Sequence, residues 1–346
     1  MTREKRERSR KVILKKILII RFSSIGDIVL TSPVVRCLKK QIRGVEVHFL
    51  TKKQFLPVIE ANPHIDKIWL YDHNFKELIP QLKSQGFDLL VDLHKNYRSF
   101  FVTKQLARPS ATFSKLNFRK WMMVNLKINF LPPVHIVDRY MEAVGKFGVK
   151  NDGKGLDYYI PEHEEVDLGT LPETHRNGYV AIATGGKHHT KILPEEKLTE
   201  VCKNLTLPVI LLGGKEDRER GEKIVSALGP AVFNACGQYS IPQSASLIRQ
   251  ATAVLSNDTG LMHIAAAYRK KMVSVWGNTI PAFGMFPYLP AENQEDSLIA
   301  EVKGLSCRPC SKLGYRSCPK KHFKCMMDID TQKIIRFLNT DNTGKS

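Results

Sequence analysis

The chain has 346 residues, 42% of them hydrophobic and 25% charged, enough for two ordinary domains with substantial cores. No stretch approaches the roughly 18 to 20 apolar residues that span a bilayer, and no apolar signal core follows the basic start, so the expected location is the cytoplasm. The net charge of +19 points to an anionic partner, and nucleic acid, an acidic membrane surface and a phosphorylated substrate all qualify.

Residues 1–15 form a basic arm containing Arg3, Lys5, Arg6, Arg8, Arg10, Lys11 and Lys15. It reads either as a solvated tail or as a membrane-docking arm. A buried strand is expected over 16–21, a helix over 28–40, strands over 45–51 and 65–71, a helix over 75–85 and a strand over 87–93. Short apolar strands alternating with amphipathic helices imply a parallel sheet covered on both faces. Residues 150–177 are polar, irregular and rich in Gly, Pro and charge, and read as an interdomain linker. The alternation then restarts, with strands over 179–183, 208–212, 253–256 and 272–276 and helices over 194–204, 217–228 and 260–267. The expected division is an arm (1–15), a first doubly wound domain (16–165), a second (166–327) and a terminal helix and tail (328–346) that cross back to the first domain.

In open parallel sheets, ligands bind where strand C-termini lead into helix N-termini. The first such junction is Ser23-Ser24-Ile25-Gly26-Asp27. Its small residues admit a ligand to the backbone, and Asp27 is either a helix cap or a carboxylate that takes a proton from an attacking hydroxyl. The second is Thr184, Gly185, Gly186 and Lys187, continuing to Lys191. Glycines, hydroxyls and cations beside a helix start suit a diphosphate, although neither the Walker spacing nor the dinucleotide fingerprint is present. The third is Asp258-Thr259-Gly260, with His263 one turn later. Here backbone N–H groups and the Thr259 hydroxyl are the candidate phosphate ligands, with Asp258 ordering the loop. At a fourth junction, Glu216 is placed to accept from a ribose or base.

Two segments, IIRFSSIGDIVLTSPVV (residues 19–35) and LSNDTGLMHIAAA (residues 255–267), together resemble the bacterial ADP-heptose:lipopolysaccharide heptosyltransferase family. The resemblance runs over essentially the whole chain after the arm. It implies the GT-B architecture, two Rossmann-like α/β domains facing a cleft, with acceptor on the first and nucleotide sugar on the second. It implies an inverting transfer that requires no metal cofactor, with Asp27 as the general base. Lys191, Glu216, Asp258, Thr259, Gly260 and His263 match the donor-site positions. Ser23, Ser24, Gly26, Lys95 and Arg98 are the acceptor-side candidates. The acceptor implied is a lipopolysaccharide core or related anionic glycolipid at the inner membrane leaflet, bound by a monomer, with no role for nucleic acid. Arg119, Lys120 and Trp121-Met122-Met123 read either as a lipid contact or as an ordinary helix with one apolar face. Where family members carry two hydroxyl residues before the lysine and an aromatic before the proline, this chain reads GGKHHTKILP.

The seven cysteines are an odd count in a chain with no expected export signal, which argues against a disulfide scaffold. Cys37, Cys202 and Cys236 are isolated and behave as small apolar residues. Cys307, Cys310, Cys318 and Cys325, with His322 among them, have the ligand types of a structural zinc site, and packed thiols are the alternative. Rival readings are a GT-B sugar-nucleotide epimerase, which acts with no acceptor present, a transferase using another nucleotide sugar, and a basic nucleic-acid-binding protein, which binds random DNA in a salt-sensitive way.

Overall fold

The structure, a computed structural model, describes residues 14–340, so the basic arm lies almost wholly outside the described residues. The first sheet contains β1 (Lys16–Ile20), β2 (Glu46–Lys52), β3 (Lys67–Tyr71), β4 (Leu89–Asp92) and β5 (Ser110–Thr112) in the order β3-β2-β1-β4-β5. The second contains β6 (Val180–Ala183), β7 (Val209–Leu212), β8 (Val232–Asn234), β9 (Ala253–Asn257), β10 (Met272–Trp276) and β11 (Ser297–Glu301) in the order β11-β10-β9-β6-β7-β8. Every strand pair is parallel. Central strands such as β1, β6 and β9 are buried almost throughout, as both-face coverage requires. These are two Rossmann-like α/β halves, the GT-B arrangement.

Strand order reverses between β1 and β4 in the first sheet and between β6 and β9 in the second. Crevices open at such switch points because consecutive crossovers leave to opposite faces. Both conspicuous motifs lie there. After β1 comes the short helix α1 (Ile25–Val29), then α2 (Ser32–Gln41). The expected single helix over 28–40 is thus two. Pro33, in the first turn of α2, cannot donate a helical N–H and clashes with the preceding turn. At the break, the Ile28 carbonyl accepts from both the Thr31 N–H (2.9 Å) and the Thr31 hydroxyl (2.7 Å).

Helices α3 (Phe75–Ser84), α4 (Tyr97–Leu106), α5 (Asn117–Asn125) and α6 (Ile136–Gly145) complete the first half. The second has α7 (Glu195–Lys203), α8 (Arg218–Leu228), α9 (Ile241–Gln250), α10 (Gly260–Ala267), α11 (Lys324–Met327) and α12 (Thr331–Asn339). One buried apolar cluster runs from β1, α1, α2 and α6 across to α9 and α10, so the halves share a core rather than merely facing each other. The stretch over 150–177 is irregular, with three short 3-10 turns, but it is pinned. Arg36 holds Asp152 (2.7 Å), Asp157 and the Gly155 carbonyl, while Glu165 accepts from Ser246 and Arg249, both at 2.7 Å.

The terminal helix corrects one expectation. Instead of crossing back, α12 packs on α7, β10 and β11 of the second half. Ile334, Ile335 and Leu338 are buried in that half's own core, and Thr331 and Asn339 hydrogen-bond to Glu200 and Thr206. Among the described residues, no helix is long and apolar enough to cross a membrane.

Candidate active site

Asp27 stands in the third position of α1, with Ser24 as the helix cap. One carboxylate oxygen receives the Ser24 hydroxyl at 2.8 Å, and the other pairs with Arg21 at 2.6 Å. Arg21 is buried and fully engaged, donating also to the carbonyls of Ser23 (2.8 Å) and Leu93 (2.5 Å) and to the Tyr140 hydroxyl (2.9 Å). Burial raises the Asp27 pKa, but Arg21 and the Ser24 hydrogen bonds outweigh it, so the carboxylate is held below its ordinary value. With a quarter of its side chain exposed, Asp27 is an ionised, fixed and accessible acceptor of protons.

Across the cleft lies the start of α10. Thr259 caps this helix in an extended conformation without using its side chain as the cap. The first-turn N–H groups are thus offered no side-chain oxygen there, which favours an anion. Asp258 turns away to accept from Lys191 (2.5 Å) and Thr279 (2.9 Å). It orders the loop, as expected, and fixes the Lys191 ammonium beside the helix start. His263 is buried and its Nδ1 has no hydrogen-bond partner. Burial lowers its pKa to about 4, against the opposing pull of Asp258 and Asp27, so at neutral pH it is an uncharged ring between the two carboxylates.

Glycine joins the two motifs. A β-carbon on Gly26 would lie 2.5 Å from the His263 ring, and one on Gly260 would lie 2.8 Å from Ile25. Neither distance is tolerable for a side chain. The helix after β1 and the helix after β9 therefore meet backbone to backbone, bringing the proton acceptor of one half against the anion site of the other.

The second-half loops are held by residues the sequence reading missed. Asn257, buried at the end of β9, donates to the Thr184 carbonyl (3.0 Å) and accepts from Leu193 N (3.1 Å). Arg220 donates to the carbonyls of Thr184 and Leu193. Thr184 itself is buried against the Leu212 carbonyl, so its hydroxyl serves the sheet. Gly185 packs against the Asp217 carboxylate, and Gly186 lies against Ile192 and Thr259. Lys187 is exposed. Glu216 is exposed, with its carboxylate folded over Gly214, whereas its neighbour Asp217 is buried and accepts from Gly214 N at 2.9 Å.

On the first half, Ser23 offers its carbonyl to Arg21, and the Ser24 hydroxyl is committed to Asp27. Lys95 donates to the Phe113 carbonyl at 2.9 Å, and the Arg98 guanidinium lies over the Tyr97 ring. The cations around Asp27 are others. Lys120 is buried on α5, and desolvation, then Arg139 and Lys312, push its pKa down to about 7, against the opposing pull of Asp27. Lys115 is lowered by burial, then by Arg21 and Lys312. Lys312, from the cysteine-rich segment, reaches Asn117 at 2.6 Å. Positive groups from both halves thus crowd the cleft with too little negative charge among them. The signal that could have found them is a run without a single Asp or Glu between Asp92 and Asp138.

All seven cysteines are free thiols, and Cys37, Cys202 and Cys236 are buried. In the late cluster, Cys307 lies 3.8 Å from His322. Among the described residues, no three His, Cys, Asp or Glu side chains stand where they could hold a metal ion.

Residues 75–312 match the model of glycosyltransferase family 9 (heptosyltransferase). Lipopolysaccharide heptosyltransferase 1 of Campylobacter coli is 22% identical over 76% of this chain and 84% of its own length. Lipopolysaccharide heptosyltransferase 2 of Escherichia coli K12 is 21% identical over 94% of this chain and 97% of its own. The solved structure of E. coli ADP-heptose LPS heptosyltransferase II superposes with a TM-score of 0.72 at 20% identity, covering 94% of this chain and 97% of that one. With a family match over more than half its length and the two motifs meeting in one cleft, this chain belongs to glycosyltransferase family 9, the heptosyltransferases.

Proposed function

We propose that the enzyme transfers a heptose from ADP-heptose to an anionic lipopolysaccharide-core acceptor, with inversion at the anomeric carbon and with Asp27 as general base. Heptosyltransferases acting in lipopolysaccharide synthesis align along most of the chain, and a structural neighbour is named for ADP-heptose. The observation that carries the reading is the backbone contact between α1 and α10, which sets an ionised carboxylate against an anion-binding helix start.

In the reaction, an acceptor hydroxyl gives its proton to Asp27 as its oxygen bonds to the anomeric carbon. The bond from that carbon to the diphosphate oxygen breaks, and ADP leaves with the electron pair. Lys191, the N–H groups at the start of α10 and the helix dipole meet the charge that develops on the leaving diphosphate. Fixed cations of this kind can supply the stabilisation that a divalent metal gives elsewhere, so the proposed transfer requires no metal cofactor. The excess of cations at Lys115, Lys120 and Lys312 supports an acceptor bearing carboxylates or phosphates. One chain supplies both halves of the site, so a monomer suffices. We read the site of action as the inner membrane leaflet, where such glycolipids present their polar ends.

The test is Asp27→Ala. Transfer from ADP-heptose to a core acceptor should fall by about 10²-fold or more, as loss of a general base does, while ADP binding measured by calorimetry persists. Near-normal turnover would sink the assignment. Metal analysis of the purified protein separately tests the structural-zinc expectation for Cys307, Cys310, Cys318 and Cys325.

A further inference from the structure

The exposed large apolar side chains among the described residues are Tyr97, Phe100, Phe101, Phe118, Trp121, Leu126, Ile128, Phe130, Leu313 and Tyr315. Surface apolar residues scattered singly need no explanation, but a set this concentrated does. All of them fall in two short segments, residues 97–130 of the first half and 313–315 of the second. Those segments lie inside two acid-free and strongly basic parts of the sequence. Between Asp92 and Asp138 there are eight Lys and Arg and no acid, and between Glu301 and Asp328 there are seven and no acid.

The fold brings these two stretches together. Lys127 donates to the carbonyls of Cys307 (3.2 Å) and Pro309 (2.6 Å), and Lys312 reaches Asn117 at the start of α5. Arg119 ties α5 to the Phe130 carbonyl at 3.3 Å. Helix α5 has two characters. Lys120 is buried toward the cleft, while Phe118 and Trp121, stacked on each other at 6.3 Å, face solvent. On α4, Arg98 and Lys104 lie over the exposed rings of Tyr97 and Phe100.

We propose that the face formed by α5, residues 126–130 and residues 313–315 docks on an anionic lipid bilayer, and that α4 extends it. Aromatic rings belong at the headgroup level, aliphatic and phenyl side chains at the acyl boundary, and Lys and Arg against anionic headgroups. Leu126, Ile128 and Leu313 favour this occupant over nucleic acid, which uses flat stacking surfaces and gains little from exposed aliphatics. A second copy of the chain is disfavoured, because self-pairing across a two-fold axis would oppose one acid-free basic face to another. The orientation follows from α5. With Trp121 in the interface, Lys120 and the cleft behind it open along the membrane surface, where a glycolipid's sugars stand. This orientation rests on the proposed glycolipid acceptor, but the binding itself does not.

The experiment is sedimentation of the full chain with vesicles of phosphatidylcholine alone or mixed with phosphatidylglycerol. Of the three tryptophans, Trp69 and Trp276 are buried and Trp121 is exposed, so a blue shift on vesicle addition reports Trp121. The parent protein should bind only the anionic vesicles, less at high salt, with that shift. Phe118→Ala/Trp121→Ala and, from the other segment, Leu313→Glu should each weaken binding by about tenfold or more. Each should keep the parent's melting temperature and ADP affinity. The basic arm is intact in all of them, so the difference belongs to the face. Unchanged binding by both variants, indifference of the parent to anionic vesicles, or a face that instead mediates self-association or captures RNA would overturn the proposal. Transfer to a delipidated acceptor separates the two readings. If it persists while vesicles are ignored, the face is wrong and the enzyme stands; vesicle binding without any transfer gives the converse.

Discussion

At the scale of single residues, the chemistry depends on how Asp27 is kept charged. Burial alone would push a carboxylate up, into the range where it is protonated and useless as a base. Arg21 reverses that, and its own burial is tolerated because its donors meet Asp27, two carbonyls and a phenol. The linkage follows in sign. A carboxylate with a depressed folded pKa contributes stability above its unfolded value of about 3.9, and that contribution is lost as pH falls through the folded pKa. The acid limb of the transfer rate should therefore lie below the ordinary aspartate range. Arg21→Met removes the partner and leaves burial in command, so the acid limb of kcat/KM should move upward and the fold should lose about 3 kcal/mol or more. Arg21→Lys, which keeps the charge, should stay nearer the parent. Identical acid limbs in all three proteins would show that the titrating base is not Asp27. Reading Asp27 as base or cap from sequence set up a false choice: Ser24 is the cap, and the Asp27 carboxylate accepts from the Ser24 backbone N–H as part of a capping box.

At the scale of elements, eight strands and most of the helices after them were legible because buried parallel strands and amphipathic helices carry strong periodic signals, whereas the short or edge strands β5, β8 and β11 and the helix α9 were not read. Residues 97–145 gave up little. There α4 and α5 expose much of their apolar surface, so neither presents the usual one-sided pattern of a packed helix. The contact between α1 and α10 was also hidden, although both of its glycines were marked. Sequence shows that Gly26 and Gly260 permit close approach, but not that each is approached by the other's helix. Their substitution tests the contact. Gly26→Ala must displace the His263 ring, and Gly260→Ala must displace Ile25. Overpacking of this kind costs about 1–3 kcal/mol. Because misplacement by about 1 Å can cost two orders of magnitude in rate, either change should lower kcat by more than tenfold. If Gly26→Ala transfers at the parental rate, α1 and α10 need not touch during turnover.

At the scale of the molecule, the +19 charge was legible as a sign of an anionic partner, but its placement was not. Lys95 and Arg98 were the natural candidates beside β4, and both turn out to be occupied, one with a carbonyl and one with a ring. The cations that count come from α5, from the loop before it and from the cysteine-rich segment of the other half, a convergence only the fold creates. Their crowding has a thermodynamic signature. A lysine whose folded pKa is lowered binds fewer protons in the folded state between that pKa and its ordinary value, so stability rises with pH across that window. For Lys120 the window opens at about 7 and closes near 10.5; below it the full penalty of the charged, crowded ammonium is present. Buried tyrosines and cysteines with raised pKa values act oppositely at the alkaline end, so the useful range is about pH 6.5 to 8.5. There Lys120→Met should melt about 2–4 °C above the parent, with the gap shrinking as pH rises. An anion that fits the cluster should erase the gap from the other side, by stabilising the parent and restoring a proton to Lys120. Inorganic pyrophosphate is a suitable probe. Calorimetry in buffers of different ionisation enthalpy should show proton uptake on pyrophosphate binding near pH 8 for the parent and much less for Lys120→Met. Equal uptake in both proteins would mean that the cations at the cleft do not act as one site.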